Sequence, residues 1–231
     1  MEKLDVISGV TDSDSSFHAS FDPYFDNLSS RQCHAKPFPC APDNTTCVTQ
    51  SQADAVYRLG HWEYAEMYRG SKDSLRASVA AYGVWVAELA ANMRAAMAGE
   101  NPVIYMHNVA HDGSVSRLLS ILQLDEMVWP GMGAEVVFEL YKKNGGEATA
   151  SSAAASEAGD YESEGEGEGE DEDEESESGF YVRVLFNGQP LKSSSPTLGL
   201  MEMVPAETLL GYFDGLVGKN ASLVKGLCEE E

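Results

Sequence analysis

His107-Asn108-Val109-Ala110-His111-Asp112-Gly113-Ser114 is the dense polar cluster that directly follows an apolar run, Val103-Ile104-Tyr105-Met106. An imidazole beside a carboxyl can do phosphoryl chemistry. His111 can donate to a phosphoryl oxygen, and Asp112 can protonate a departing alkoxide. The backbone amides of Gly113 and Ser114 would open a helix N-terminus, a place that favours anions, so free phosphate or a phosphomonoester is the expected ligand. The plainer reading of a His-Asp pair at a helix start is a cap. Two other chemistries fit less well. His107 and His111 stand four apart like a helical zinc pair, but Asn-Val-Ala lies between them, no Glu intervenes, and the segment follows an apolar run directly, so no metal site is assigned. A serine hydrolase needs a G-x-S-x-G elbow, and the sequence contains none.

The elements that must position these groups follow from periodicity. Val103–Met106 is apolar on both faces and predicts a short strand buried within a parallel sheet. Val115, Leu118, Leu119 and Leu122 predict a helix over about Ser114–Gln123. Upstream, Ser51-Gln52-Ala53-Asp54 has the form of an N-terminal box. Ala53, Val56, Tyr57, Gly60 and Tyr64 follow it at helical spacing, with Gly60 expected to weaken the helix. Val79, Tyr82, Val86, Leu89 and Met93 mark a longer helix from about Asp73 to Ala98, and this stripe reads as a packing face. Ala134–Tyr141 and Phe180–Asn187 are β-rich and predict an antiparallel hairpin, with Asn187-Gly188 as a turn beyond it. A last helix is expected over Ala206–Leu216, after Pro205.

The expected organisation is therefore an irregular Pro- and Cys-containing segment over 1–50, a helical lobe over 51–98, and an α/β core over 99–146 and 180–218. An acidic insertion over 147–179 and a tail over 219–231 complete it. Net charge is −23, yet Glu147–Gly179 alone holds 14 acidic residues and no Lys or Arg. Its Glu/Gly/Ser pattern predicts a solvated loop at the hairpin tip, the alternative being an acidic interaction segment. No nucleic-acid partner is expected. No apolar run approaches the roughly 18–20 residues that span a bilayer, and the first residues lack the apolar region of a signal peptide. Cys33, Cys40 and Cys47 fall at even spacing among Pro37, Pro39 and Pro42. They suit disulfides in an oxidising compartment better than zinc, whose paired C-x2-C spacing is missing. Asn27, Asn44 and Asn220 head N-x-S/T sequons and are glycosylation candidates.

The ordered string around the cluster carries a resemblance. Tyr105 to Ser114 is similar to the His-Asp motif of histidine acid phosphatases. Leu118-Leu119-Ser120-Ile121-Leu122-Gln123-Leu124, Val128-Trp129-Pro130-Gly131-Met132-Gly133-Ala134-Glu135 and Tyr181-Val182-Arg183-Val184-Leu185-Phe186-Asn187-Gly188 follow in that family's order. Upstream, Phe25 to Pro37 and Tyr57 to Tyr64 look like fungal members. The resemblance covers about 20–145 and 180–217. It implies an α/β fold, a phosphoglycerate mutase-like three-layer sandwich, here as its C-terminal strands plus a helical lobe. It implies phosphomonoester hydrolysis through a phosphohistidine without a cofactor, in a secreted or vacuolar setting. His111 would bind the phosphoryl group and Asp112 would be the proton donor. The family's nucleophile belongs to an Arg-His-Gly-x-Arg motif, and none of the 5 His here follows an Arg. The expectation is a chain carrying the acid-catalyst half of such a site, inactive alone, whose partner would be its own N-terminal half, the alternative being a phosphate- or anion-binding protein without turnover.

Overall fold

A computed structural model describes residues 2–8, 10–11, 13–14, 17–42, 44–143 and 179–227. Two helices lie in the region expected to be irregular: α1 (Glu2–Ser8) and α2 (Asp22–Cys33). Pro23 sits in the first turn of α2, where its missing N–H costs no hydrogen bond, and Tyr24, Phe25 and Leu28 make its buried face. Glu63 accepts the Phe21 N–H (2.9 Å) at the start of α2, and the Tyr24 hydroxyl donates to Asp5 of α1. Composition concealed α2 because Asp, Ser and Asn supply its exposed faces.

α3 (Gln50–Ala65) carries a reciprocal N-terminal box, placed two residues before the expected one: Thr49 accepts from the Gln52 N–H, and Gln52 Oε1 accepts from the Thr49 N–H. A single π turn, Glu66–Gly70, ends it, and α4 (Ser74–Met97) follows. α4 is the spine of the molecule, burying Val79, Val86, Ala90 and Met93. α5 (Asp112–Ile121) and α6 (Ala206–Val217) pack on it. Of the expected tail, 219–227 lie among the described residues and are structured. A 3-10 turn (Lys219–Ala221) leads into α7 (Val224–Leu227), and Val224 is buried against α4 at Gly83.

The expected hairpin is present. β1 (Val136–Lys142) pairs antiparallel with β2 (Phe180–Phe186), Phe138 opposite Val184 and Leu140 opposite Val182. β2 also pairs antiparallel with β3 (Gln189–Pro190), through a turn in which Asn187 (φ 50°) and Gly188 (φ 75°) are both left-handed, and with β4 (Val204–Pro205). Val182 and Val184 are fully buried on the inner face, with Phe213 and Leu209 of α6 in the same core. On the outer face Arg183 pairs with Glu139 and lies over the Tyr141 ring, beside the Val137–Leu185 pair. The molecule is thus mixed α/β, mainly helical, with a four-stranded antiparallel sheet.

The parallel strand expected over Val103–Met106 is not formed. The segment bends at Ile104 and pairs with no strand among the described residues, and Ile104 is fully exposed. β-rich residues give a tendency only; a strand exists when a neighbour accepts its backbone hydrogen bonds. Cys40 and Cys47 form a disulfide across an antiparallel bridge, and Cys33 is free and exposed. No helix among the described residues is long and apolar enough to cross a membrane. The acidic insertion, apart from Gly179, lies outside the described residues.

Candidate functional site

α5 starts where the polar cluster ends. His111 is still extended (φ −95°, ψ 162°), and its carbonyl accepts the Ser114 and Val115 amides, each at 3.0 Å. Asp112 is the first helical residue, where a carboxylate complements the helix dipole. Its Oδ1 accepts the Gly113 N–H (2.7 Å), and its Oδ2 accepts both the Trp129 Nε1–H (2.8 Å) and the Tyr64 hydroxyl (3.1 Å). Burial, and then the neighbouring Asp112 charge, push the Tyr64 hydroxyl far above its ordinary ionisation range, so it remains a donor.

These two donors are held by ring stacking. The Trp129 indole lies between Phe25 (3.9 Å between centroids, 10° between planes) and Tyr64 (3.8 Å, 13°). Gly60 makes room for the stack. A Cβ at that position would stand 2.6 Å from Phe25 Cδ2 and 3.1 Å from Trp129 Cε3. The residue expected to weaken α3 is therefore the one that lets the stack close. The Trp129 backbone N–H donates to Nδ1 of His61 (3.1 Å), which fixes the imidazole proton on Nε2. Burial pushes His61 below its ordinary value and favours this neutral form.

The assembly opens onto a cleft of about 800 Å³ between α2, α3, the start of α5 and the 129–134 turn. His111 and Asp112 line it, as do Asp22 and Asp26 from α2 and His61 from α3, and among the described residues no Lys or Arg does. Burial, then the charges of Asp112 and Asp26, push the Asp22 carboxyl above its ordinary value. Arg117, five residues after Asp112, donates to the Gly113 carbonyl (3.0 Å) and lies over the Tyr68 ring.

Of the residues expected to act, the structure brings His111 and Asp112 to one cleft wall. Gly113 and Ser114 do not line it. Their amides are already engaged, by Asp112 Oδ1 and by the His111 carbonyl, so the N-terminus of α5 offers no unpaired cradle there. His107 lies in the irregular run before α5, not on a helix face shared with His111, and no group of three or more metal-ligating side chains occurs among the described residues. Asn27, Asn44 and Asn220 are all exposed. Asp22, Asp26, His61, Tyr64 and Trp129 were not singled out as site residues. Tyr64 lies 48 residues from Asp112 and Trp129 lies 17 away, separations that no local pattern bridges. No family model, curated protein or solved structure matches the chain.

Proposed function

We propose that this chain carries the acid-catalyst side of a phosphomonoester hydrolase of the histidine acid phosphatase type. In this reading Asp112 is the proton donor and His111 a phosphoryl ligand. The observation that carries the reading is the setting of Asp112. Its Oδ2 is fixed by two side-chain donors and its Oδ1 by the Gly113 amide, and the residue stands at the wall of a cleft large enough for a small ester. A general acid needs this kind of positioning before anything else. The string from Tyr105 to Ser114 and its continuation supply the family reading, and with it the phosphoglycerate mutase-like sandwich.

The reading requires a nucleophilic histidine and phosphate-holding cations from a further polypeptide segment, since the described cleft lining has neither an Arg nor a Lys. The unpaired, apolar Val103–Met106 segment, leading directly into His111, offers a strand edge on which such a segment can pair. The 231-residue chain alone is expected to hydrolyse p-nitrophenyl phosphate at acid pH no faster than buffer. Joining it in cis to a histidine acid phosphatase N-terminal half bearing Arg-His-Gly should produce turnover that falls roughly 10²–10⁴-fold in Asp112→Asn. Turnover by the joined protein that ignores Asp112→Asn would remove Asp112 from its role.

A further inference from the structure

The loop that carries Trp129 has few main-chain attachments of its own. Across residues 126–130 no backbone–backbone hydrogen bond is made among the described residues, and Pro130 has no N–H to give. The Trp129 amide is fastened instead to Nδ1 of His61, 3.1 Å away. Phe25, which stacks on the Trp129 indole, meets the His61 ring edge-on (5.5 Å between centroids, 86° between planes). One side chain of α3 thus holds both the backbone of Trp129 and the ring against which its indole rests. Asp112 in turn depends on that indole for one of its donors.

We infer, resting on the phosphatase reading above, that His61 is a positioning residue for the proton donor: through Trp129 it makes the placement of Asp112 conditional on an imidazole that carries no proton at Nδ1. The neutral ring offers an acceptor there. The protonated ring turns an N–H toward the Trp129 N–H, donor against donor, so the bond is lost, the loop is released and the indole leaves Asp112. The titratable groups that share the cleft with His61 are Asp22, Asp26 and Cys33 of α2, Tyr57 of its own helix, and His111 and Asp112 at the start of α5. The carboxylates among them favour a charged ring, yet burial prevails and holds His61 below its ordinary value of 6.5. Asp112 therefore stays in place into mildly acidic solution and is released once His61 takes up its proton.

NMR of the indole N–H groups of the full chain tests this, with the Trp129 signal assigned by elimination in Trp62→Phe and Trp85→Phe and the His61 ring followed through its own carbons. As pH falls from about 8 to 5, the hydrogen-exchange protection of the Trp129 indole should drop at least about tenfold in step with the His61 titration. His61→Asn, whose amide oxygen takes the place of Nδ1 and does not titrate, should keep that protection across the range. An indole that stays protected while His61 titrates, or that loses protection at the same pH in His61→Asn, overturns the inference. In the joined protein described above, the acid limb of turnover should follow His61 and move to lower pH in His61→Asn. Turnover that needs Asp112 but has an acid limb indifferent to His61→Asn overturns the inference and leaves the phosphatase reading standing. An indole that follows His61 while Asp112→Asn leaves turnover unchanged removes the phosphatase reading and leaves the tie from His61 through Trp129 to Asp112.

Discussion

His61 ties proton binding to folding. Its imidazole is half-buried, accepts the Trp129 amide at Nδ1, and is held below its ordinary value of 6.5. The unfolded chain therefore takes up a proton that the folded chain resists. The stability linked to neutral His61 is fully present above pH 6.5 and is lost as pH falls through the lowered value. Thermal melts from pH 8 to 5 should show that decline, and His61→Gln, which keeps an acceptor without a titrating ring, should flatten it. An unchanged pH profile in that variant would show that another group governs it. A second residue-scale expectation concerns α5. Ser116 and Ser120 are fully buried, and their hydroxyls find no hydrogen-bond partner. Burying an unpaired hydroxyl costs about 1–3 kcal/mol, so Ser120→Ala should leave the protein as stable or raise stability by about 1 kcal/mol in urea unfolding. A loss comparable with that of a core truncation would show that Ser120 has a partner.

Among the elements, α3 positions the site most directly, because Gly60, His61 and Tyr64 sit within little more than one of its turns. Gly60→Ala adds a methyl group where Phe25 and Trp129 already crowd the backbone. The substitution favours the helix by propensity, by about 0.8–1 kcal/mol, but overpacks the stack at a cost of about 1–3 kcal/mol. The expected result is net destabilisation, measured by denaturant unfolding, with the Trp129–Asp112 hydrogen bond loosened. Net stabilisation would mean that the stack can shift freely. The same helix shows how far sequence carries. Its apolar spacing was legible because a helix repeats locally; its cap was misplaced by two residues because Ser51 and Thr49 are both competent and only the pairing with Gln52 decides. The hairpin was legible because both segments are β-rich and become neighbours once the acidic segment is looped out. α2 and the fate of Val103–Met106 were not. One depends on a buried face of Tyr24, Phe25 and Leu28 within a polar segment, and the other on a neighbouring strand. His111 and Asp112 could be picked out from an apolar run followed by a polar turn and a helix. The donors that hold Asp112 arrive only through tertiary folding.

For the molecule as a whole, the exposed run is the main liability. Val103, Ile104, Tyr105 and Met106 present their side chains to solvent with no paired backbone beside them, an arrangement that invites edge-to-edge association. Light scattering of the isolated chain should show concentration-dependent oligomers, and Ile104→Lys/Tyr105→Lys should shift the population toward monomer. A monodisperse monomer with slow amide exchange across Val103–Met106 would show instead that the segment is protected without a partner strand. The stacked Trp129 has a further consequence, in optical terms. Its indole is almost wholly buried (5% exposed) and hydrogen-bonded to Asp112, whereas Trp62 is 65% exposed on the outside of α3. The buried indole therefore emits toward the blue and the exposed one toward the red, and a quencher added to the solvent silences Trp62 first. What remains is the light of Trp129 and of the half-buried Trp85 of α4, so in a Trp85→Phe variant intrinsic fluorescence can report a ligand entering the cleft with no label attached.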